Sequence, residues 1–191
     1  MKEIIIASGN NGKIKEVQEI FGNDFKVSSI KEIGIDIDVE EDQDSFKGNA
    51  IKKAEVIAKE IGDGRFVIAD DSGIEVEALN GFPGVYTKRW FDGTDRERNL
   101  ALINKVNKEA GLNRKIKFTT AIAISNGKES FCELGIVNGN VTKKPRGNNG
   151  FGFDEIFELE NGKTLAELTD DEKNKISARK IALEKIKNYI K

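Results

Sequence analysis

Two adjacent carboxylates, Asp70 and Asp71, are the residues whose type and spacing most favour chemistry. They follow an apolar run at residues 66–69 that is typical of a buried strand, and Ser72-Gly73 comes next. Successive strand residues point to opposite faces, so one carboxylate is expected to face packed protein and the other a cavity. Such a pair suits a metal or phosphate site. The local pattern alone favours a plain turn, because Asp-Ser-Gly is common turn chemistry.

A glycine-rich turn is the second candidate. An apolar strand at residues 2–8 ends at Gly9-Asn10-Asn11-Gly12, and helical spacing begins at Lys13. Backbone N–H groups and a helix N-terminus in this arrangement can receive an anion. A lysine in the first helical turn opposes the helix dipole, which makes sense if a phosphate binds there. The Walker ending is absent, and a structural turn with a solvated lysine remains the alternative.

Composition excludes several chemistries. The 191-residue chain has no histidine, which rules out serine triads, histidine bases and histidine-ligated zinc. Any metal is therefore expected to be hard and oxygen-bound, Mg²⁺ or Mn²⁺. The single cysteine, Cys132, cannot form an intramolecular disulfide, and its apolar strand pattern predicts a buried structural thiol.

Charge and hydropathy limit the partners. The net charge is −2 with 34% charged residues, which argues against a broad nucleic-acid surface but allows a small polyanion. Neither a membrane-spanning stretch nor a signal peptide is predicted. We therefore expect a cytoplasmic protein, without membrane or nucleic-acid partners, formed by one α/β domain over residues 1–191 with two lobes and no linker.

An acidic stretch precedes the first long helix. Glu40, Glu41, Asp42 and Asp44 lie close together, and most of these carboxylates are expected to be solvated. Either Asp44 or Ser45 is predicted to cap a helix over residues 46–61. Lys53 lies on a different flank from the apolar face of that helix and could reach a cleft, and the alternative is a solvated lysine.

Further elements follow the central stretch. A short strand is predicted at residues 74–79, and a helix capped by Thr94 follows at residues 94–110. Asn126-Gly127 predicts a two-residue turn between strands at residues 115–125 and 128–137. Thr169 and Glu172 form a capping box for a helix expected to run to the C-terminus.

A basic loop rich in Gly and Asn covers residues 143–154. Two phenylalanines, Phe151 and Phe153, flank Gly152, and Asp154 follows. Such a loop could stack on a base and accept hydrogen bonds from its edge. The alternative is a hinge whose phenylalanines pack into the core.

Taken in order, these motifs resemble the inosine/xanthosine triphosphate pyrophosphatase family over nearly the whole chain. The matching segments are Ser8-Gly9-Asn10-x-x-Lys13, Glu40-Glu41, Phe46-x-x-Asn49-Ala50-x-x-Lys53-Ala54, Ala69-Asp70-Asp71-Ser72-Gly73, Leu79-x-Gly81-x-Pro83-Gly84-x-Tyr86, Gly150-Phe151-Gly152-Phe153-Asp154 and Lys163-Thr164-x-Ala166-Glu167-Leu168-Thr169, running on to Lys173-x-x-x-Ser177-x-Arg179. Each motif alone is weak, and their shared order makes the resemblance specific.

The resemblance implies a fold and a reaction. The fold is α/β, a long twisted mixed sheet with flanking helices and two lobes around a central nucleotide cleft, in a homodimer. The reaction is Mg²⁺-dependent hydrolysis of ITP, dITP or XTP to the monophosphate and pyrophosphate. A nucleotide sensor without turnover, or a related hydrolase for modified pyrimidine nucleotides, is the alternative.

The resemblance also implies residue roles. Glu40 and Asp71 are the expected Mg²⁺ ligands, and Asp71 is the expected catalytic residue, with Asp70 the alternative base. We expect Asp70 to be the more buried of the two. Phe153 is expected to stack on the purine and Lys173 to contact its 6-oxo group. The expected substrate contacts are Ser8, Gly9, Asn10, Asn11, Gly12, Lys13, Lys53, Ser72, Phe151, Gly152, Phe153, Asp154, Lys173 and Arg179.

The chain departs from the family pattern near the base. Ala178 replaces the histidine of Ser-His-Arg, and Gly48 replaces a glutamate. Phe153 and Glu155 stand where a tyrosine and a proline are common. Loss of one hydrogen-bond partner typically costs about 1–3 kcal/mol. We therefore expect the selectivity for the base to differ from that of the family more than the phosphate chemistry does.

Overall fold

The computed structural model describes residues 2–109, 111 and 113–190. Its strands are β1 (Lys2–Ile6), β2 (Phe25–Ser29), β3 (Phe66–Val76), β4 (Lys115–Ser125), β5 (Ser130–Val141) and β6 (Phe157–Glu158). Its α-helices are α1 (Asn11–Phe21), α2 (Phe46–Ile61), α3 (Asp95–Glu109), α4 (Asp170–Lys175) and α5 (Ala178–Ile186). Short 3₁₀ turns at Gly22–Asp24, Glu77–Leu79, Gly84–Tyr86, Leu165–Glu167 and Lys187–Tyr189 connect them.

The strands form one mixed sheet. Their order is β2-β1-β3-β4-β5-β6. β1 is parallel to β2, with Ile4 opposite Val27, and parallel to β3, with Ile5 opposite Val67. β6 is antiparallel to β5. A mixed sheet with flanking helices confirms the predicted α/β fold.

The chain divides into two compact units. The first unit comprises Met1–Asp71, Thr120–Gly135 and Arg179–Lys191, and the second comprises Ser72–Thr119 and Ile136–Ala178. In the first unit, α1, β1, β4 and α5 bury one apolar cluster around Ile6, Val17, Phe21, Ile122 and Leu183. A smaller cluster packs α2 against β1 and β3 through Ile5, Ile57 and Val67.

The second unit has its own core. Ile74 and Val76 of β3 and Leu102 and Val106 of α3 pack with Phe157 of β6. All five side chains are fully buried. Each unit therefore has an apolar interior that can hold polar side chains in fixed positions.

The helix caps follow the sequence signals. Ser45 caps α2 by accepting a hydrogen bond from the Gly48 backbone N–H, which decides between the two predicted caps. Thr169 and Glu172 form the predicted capping box of α4. Asn10 caps α1, a role not assigned from sequence.

Three boundaries differ from the prediction. β3 continues to Val76 as one strand, and the residues after it form a 3₁₀ turn instead of a second strand. The β4–β5 connection contains four residues, 126–129, because the Asn126 side chain accepts hydrogen bonds from the Lys128 and Glu129 N–H groups. The predicted C-terminal helix is broken after Lys175, and Ser177, a residue type favoured at N-caps, precedes α5.

No helix within the described residues is long and apolar enough to cross a membrane.

Candidate functional site

In the first unit, the turn between β1 and α1 is held by its own side chains. Ser8 Oγ accepts a hydrogen bond from Asn10 N at 3.1 Å. Asn10 Oδ1 accepts hydrogen bonds from Gly12 N at 2.8 Å and Lys13 N at 3.2 Å. Several backbone donors predicted to hold phosphate are therefore bonded to Ser8 and Asn10. These bonds fix where the helix begins, and so fix the position of Lys13.

Lys13 and Arg179 converge on Asp70. The Lys13 ammonium lies 2.8 Å from both Asp70 carboxylate oxygens. Arg179 donates from Nη2 to Asp70 Oδ2 at 3.3 Å and from Nη1 to Glu16 Oε2 at 3.2 Å. One carboxylate within β3 thus gathers two cations from distant parts of the chain.

Asp70 is ionised in this setting. Burial alone would raise the pKa of Asp70, but the charges of Lys13, Arg179 and Lys53 outweigh it and hold that pKa below its usual range. A carboxylate whose oxygens contact two cations and whose pKa is lowered is a poor proton acceptor. It is suited to positioning those cations.

Lys53 adds a third cation from α2. Its ammonium donates to Glu41 Oε1 at 2.6 Å and to the Asp70 backbone carbonyl at 3.2 Å. Glu40 is exposed, whereas its neighbour Glu41 is half-buried. The sequence predicted a role for Glu40 and none for Glu41. The adjacent position of the two residues gave no means of choosing between them.

Asp71 is anchored by a residue that sequence reasoning missed. Asn49 donates from Nδ2 to Asp71 Oδ2 at 2.9 Å, and its own Oδ1 accepts from Gln43 N at 2.9 Å. Asn49 is 1% exposed, whereas the neighbouring buried positions of α2 are apolar. The signal that could have identified Asn49 is an asparagine within an otherwise apolar helical face.

The expectation that Asp70 is the more buried carboxylate is wrong, because Asp70 is 8% exposed and Asp71 5%.

Ser72 and Gly73 begin the second unit. Gly73 has no room for a side chain, because an added Cβ would lie 2.3 Å from Thr87 Oγ1. The same hydroxyl accepts a hydrogen bond from Ile74 N at 3.0 Å. This close approach sets the path of β3 immediately after the two aspartates. Ser72 is half-buried at that point.

A second polar group in this unit centres on Asp154. Its carboxylate forms an ion pair with Lys173 and accepts a hydrogen bond from Phe151 N at 2.9 Å. Gly150 has a φ of 80°, and a Cβ there would meet both the Asp154 carboxylate and the Lys173 ammonium. The glycine therefore permits the tight loop that brings Asp154 and Lys173 together.

The two phenylalanines of this loop have opposite environments. Phe153 is 7% exposed, packs in the core and has the Arg98 guanidinium 4.9 Å from its ring centroid. Phe151 is 81% exposed, with the Lys173 ammonium 4.8 Å from its ring centroid. The predicted stacking role therefore suits Phe151 better than Phe153, because little of the Phe153 ring is available to a ligand.

Two residues of the α3 region hold Gly152, and neither was predicted. Gly152 N donates to Asp95 Oδ2 at 2.6 Å, and Gly152 O accepts from Asn99 Nδ2 at 2.9 Å. Asn99 is 1% exposed. The backbone between the two phenylalanines is thus fixed on both sides, which keeps Phe151 outward.

The donor set bears on the predicted metal. Among residues 2–109, 111 and 113–190, no group of three or more His, Cys, Asp or Glu side chains is placed to hold a metal. Mg²⁺ is commonly bound by one or two carboxylates together with water and substrate phosphates. The buried, amide-anchored Asp71 carboxylate fits that mode. The residues therefore fit a Mg²⁺ held together with a phosphate ligand.

These groups define an α/β protein with a cation cluster gathered on a carboxylate of the interior strand β3 in its first unit. Its second unit carries a loop with an outward aromatic ring beside an ion pair. The Ham1 family model matches residues 4–189, and the chain belongs to that family. The family prediction from the ordered motifs is confirmed.

Curated relatives match over nearly their full length. The chain is 42% identical over 198 residues to the dITP/XTP pyrophosphatase of Bacillus subtilis (strain 168), covering 100% of this chain and 98% of the relative. It is 43% identical over 192 residues to the protein of the same name from Thermoanaerobacter sp. (strain X514), covering 98% and 96%.

Solved structures agree on the fold. The Staphylococcus aureus Ham1 protein matches with a TM-score of 0.90 and 39% identity, covering 99% of this chain and 98% of that one. A HAM1 protein from Coxiella burnetii matches with a TM-score of 0.91 and 36% identity, covering 100% and 98%.

Proposed function

We propose that the protein hydrolyses non-standard purine nucleoside triphosphates, dITP, ITP and XTP, to the monophosphate and pyrophosphate. The observation that carries this proposal is the pair of adjacent aspartates with divided partners: Asp70 gathers Lys13 and Arg179, whereas Asp71 is held by Asn49. Full-length relatives named dITP/XTP pyrophosphatase support the same activity.

The cations of the first unit supply phosphate binding in this proposal. Lys13, Lys53 and Arg179 are all held near Asp70. A triphosphate carries several negative charges, and cations already fixed by a carboxylate need little reorganisation to meet it. The N-terminus of α1 adds the favourable end of a helix dipole beside Lys13.

Asp71 is the better of the two aspartates to orient the attacking water. Water must attack the α-phosphorus while the bond to the bridging oxygen of the leaving pyrophosphate breaks. We assign Asp71 to orient that water, because the Asn49 amide fixes one oxygen of its carboxylate. Asp70 remains a positioning residue, since its oxygens hold Lys13 and Arg179.

The proposed cofactor is Mg²⁺, with Mn²⁺ as a substitute. Asp71 would hold it, with Glu40 as the predicted second carboxylate, and the cation would offset negative charge on the phosphates. Glu40 is exposed, so no packing prevents its carboxylate from approaching the Mg²⁺. Glu41 is the alternative ligand, but its ion pair with Lys53 would first have to open.

The loop of the second unit supplies base binding in this proposal. Phe151 offers an exposed ring on which a base can stack. Such stacking does not distinguish one purine from another. Selectivity against ATP then needs a hydrogen-bond donor to the purine 6-oxo group, because ATP does not have that group. Lys173 is that donor, and Asp154 holds its ammonium beside the Phe151 ring. Ala178, where the family has histidine, offers no side-chain contact to the base.

We propose in addition a cytoplasmic homodimer without a nucleic-acid or membrane partner. The family resemblance supports the dimer, and the slightly acidic net charge of −2 argues against a nucleic-acid surface. Size-exclusion chromatography with light scattering measures the oligomeric state directly.

A substrate panel tests the proposed activity. Purified protein with Mg²⁺ is assayed against dITP, ITP, XTP, GTP, ATP and dUTP. The proposal predicts that dITP, ITP and XTP have the highest kcat/KM and that ATP, which carries a 6-amino group, has the lowest. A preference for dUTP would support the pyrimidine hydrolase, and binding without turnover of any substrate would support the sensor.

A further inference from the structure

A basic cavity in the second unit shares no residue with the predicted nucleotide contacts. Its volume is ≈ 400 Å³, within the range of small-molecule sites. It lies at the end of β5. Arg114, the residue before β4, lines one part of it, and Glu158 of β6 lines another. Four cationic side chains line it, from Arg114, Lys143, Lys144 and Arg146, with Glu158 as the only carboxylate among the lining residues.

The backbone around this cavity is firmly held. Arg114 donates from Nε to Val141 O at 2.6 Å and from Nη2 to Thr142 O at 2.7 Å. Thr142 N in turn donates to Ile156 O at 2.9 Å. Arg114 thus reaches the cavity from a fixed position, and its bonds to the cavity wall are to carbonyl oxygens.

The cations of this cavity are poorly neutralised. Lys143 and Lys144 are exposed, and in the described part of the chain neither has an ion pair, nor does Arg114. Arg146 alone is paired, through Nη2 to Glu158 Oε2 at 2.5 Å and through Nε to Glu167 Oε2 at 3.8 Å. Several positive charges in one concave surface attract a compact anion more strongly than isolated surface lysines do.

A buried hydroxyl adds a second, independent feature. Thr142 lines the cavity and is 6% exposed, and its Oγ1 has no hydrogen-bond partner among the described residues. Buried polar atoms are rarely left without partners, so this unpaired hydroxyl is an exception in the cavity wall.

We propose that this cavity binds a small, multiply charged phosphate anion, with inorganic phosphate and pyrophosphate as the members of that class to be distinguished. Arg114 and Arg146 form its fixed base, and Lys143 and Lys144 close on the anion from the solvent side. A nucleic-acid strand is the less suitable occupant, because four cations around one cavity do not form an extended track.

The test is isothermal titration calorimetry without divalent metal, using pyrophosphate, phosphate and sulfate separately. The Lys143→Gln/Lys144→Gln variant removes two cations that make no hydrogen bonds within the described residues. The matched control, Lys108→Gln/Lys128→Gln, makes the same charge change at exposed lysines outside the cavity. Circular dichroism confirms that each variant is folded.

The proposal predicts that the cavity variant weakens binding of pyrophosphate or phosphate by about tenfold or more, as expected for lost charge-assisted hydrogen bonds. The control should bind like wild type, and dITP hydrolysis should be unchanged in both variants. Equal affinity in all three proteins, or equal losses in both variants, would overturn the proposal.

Two further outcomes would also overturn it. A cavity variant that binds pyrophosphate normally but loses affinity for a single-stranded oligonucleotide would show a nucleic-acid surface. A cavity variant with reduced dITP hydrolysis would show that the lysines serve the substrate instead of a separate anion. Pyrophosphate and phosphate titrated in parallel show which anion the cavity prefers.

Discussion

Asn49 donates a hydrogen bond from its side-chain amide to Asp71 Oδ2 at 2.9 Å, and it does so from the buried face of α2. The amide oxygen of Asn49 is held by the backbone N–H of Gln43. The amide is therefore oriented at both ends, and it fixes one oxygen of the carboxylate that we assign to catalysis. This relationship separates Asp71 from Asp70, whose partners are cations.

Replacing Asn49 by Leu should lower kcat for dITP more than it raises KM. Loss of one hydrogen bond to a charged group is expected to lower kcat by roughly tenfold to a hundredfold. Steady-state kinetics measures the split. In an Asp71→Asn background the same substitution should have little further effect, and independent, additive losses would contradict the assigned coupling.

Removing the charge of Asp70 should destabilise the protein. Asp70→Asn leaves Lys13 and Arg179 facing an uncharged buried group, which typically costs about 3–5 kcal/mol. Urea unfolding at neutral pH measures the loss. Glu16→Gln is the control, because it removes the other partner of Arg179 at a more exposed position and should cost less than about 1 kcal/mol. Equal costs for the two variants would refute the positioning role.

The two phenylalanines of the loop should respond differently to truncation. Phe151→Ala should raise KM for dITP by roughly tenfold to a hundredfold, the expected value of one base-stacking contact, with little change in stability. Phe153→Ala should destabilise by about 3–5 kcal/mol, because it empties a core position. Thermal denaturation and kinetics on both variants are needed. An unchanged KM in Phe151→Ala would return the stacking role to Phe153.

Glu3 should contribute to acid stability in the first unit. Hydrogen bonds from Ser28, Lys26 and Arg65 lower the pKa of Glu3 from 4.5 to about 2. Its ionised form therefore stabilises the fold above pH 4.5, and this contribution is lost as the pH falls toward about 2. Glu3→Gln should be less stable than wild type at pH 7, with the difference shrinking below pH 4.5. Urea unfolding across that range measures it, and a pH-independent difference would argue against the linkage.

Much of the fold could be predicted because its local signals agree. Apolar periodicity located β1 and α2, and the side-chain caps Ser45 and Thr169 marked helix starts. The pairing of cations with Asp70 was not predicted, since Lys13 and Arg179 lie far from it in sequence. Only the folded chain brings them together.

Several features could not be specified from the sequence, for identifiable physical reasons. Residues 150–153 contain two glycines with positive φ, so strand-like alternation could not show which phenylalanine faces outward. The β4–β5 turn was lengthened by hydrogen bonds from the Asn126 side chain, which the Asn-Gly signal does not specify. The choice between Glu40 and Glu41 depends on side-chain direction in an irregular segment, where no periodicity applies.

The most direct test of the central claim is ³¹P NMR of the products formed from dITP in the presence of Mg²⁺, with wild-type protein and Asp71→Asn in parallel. Wild-type protein is expected to release pyrophosphate and dIMP, and Asp71→Asn is expected to release little of either. Orthophosphate as the first product, or near-normal pyrophosphate release by Asp71→Asn, would contradict the account.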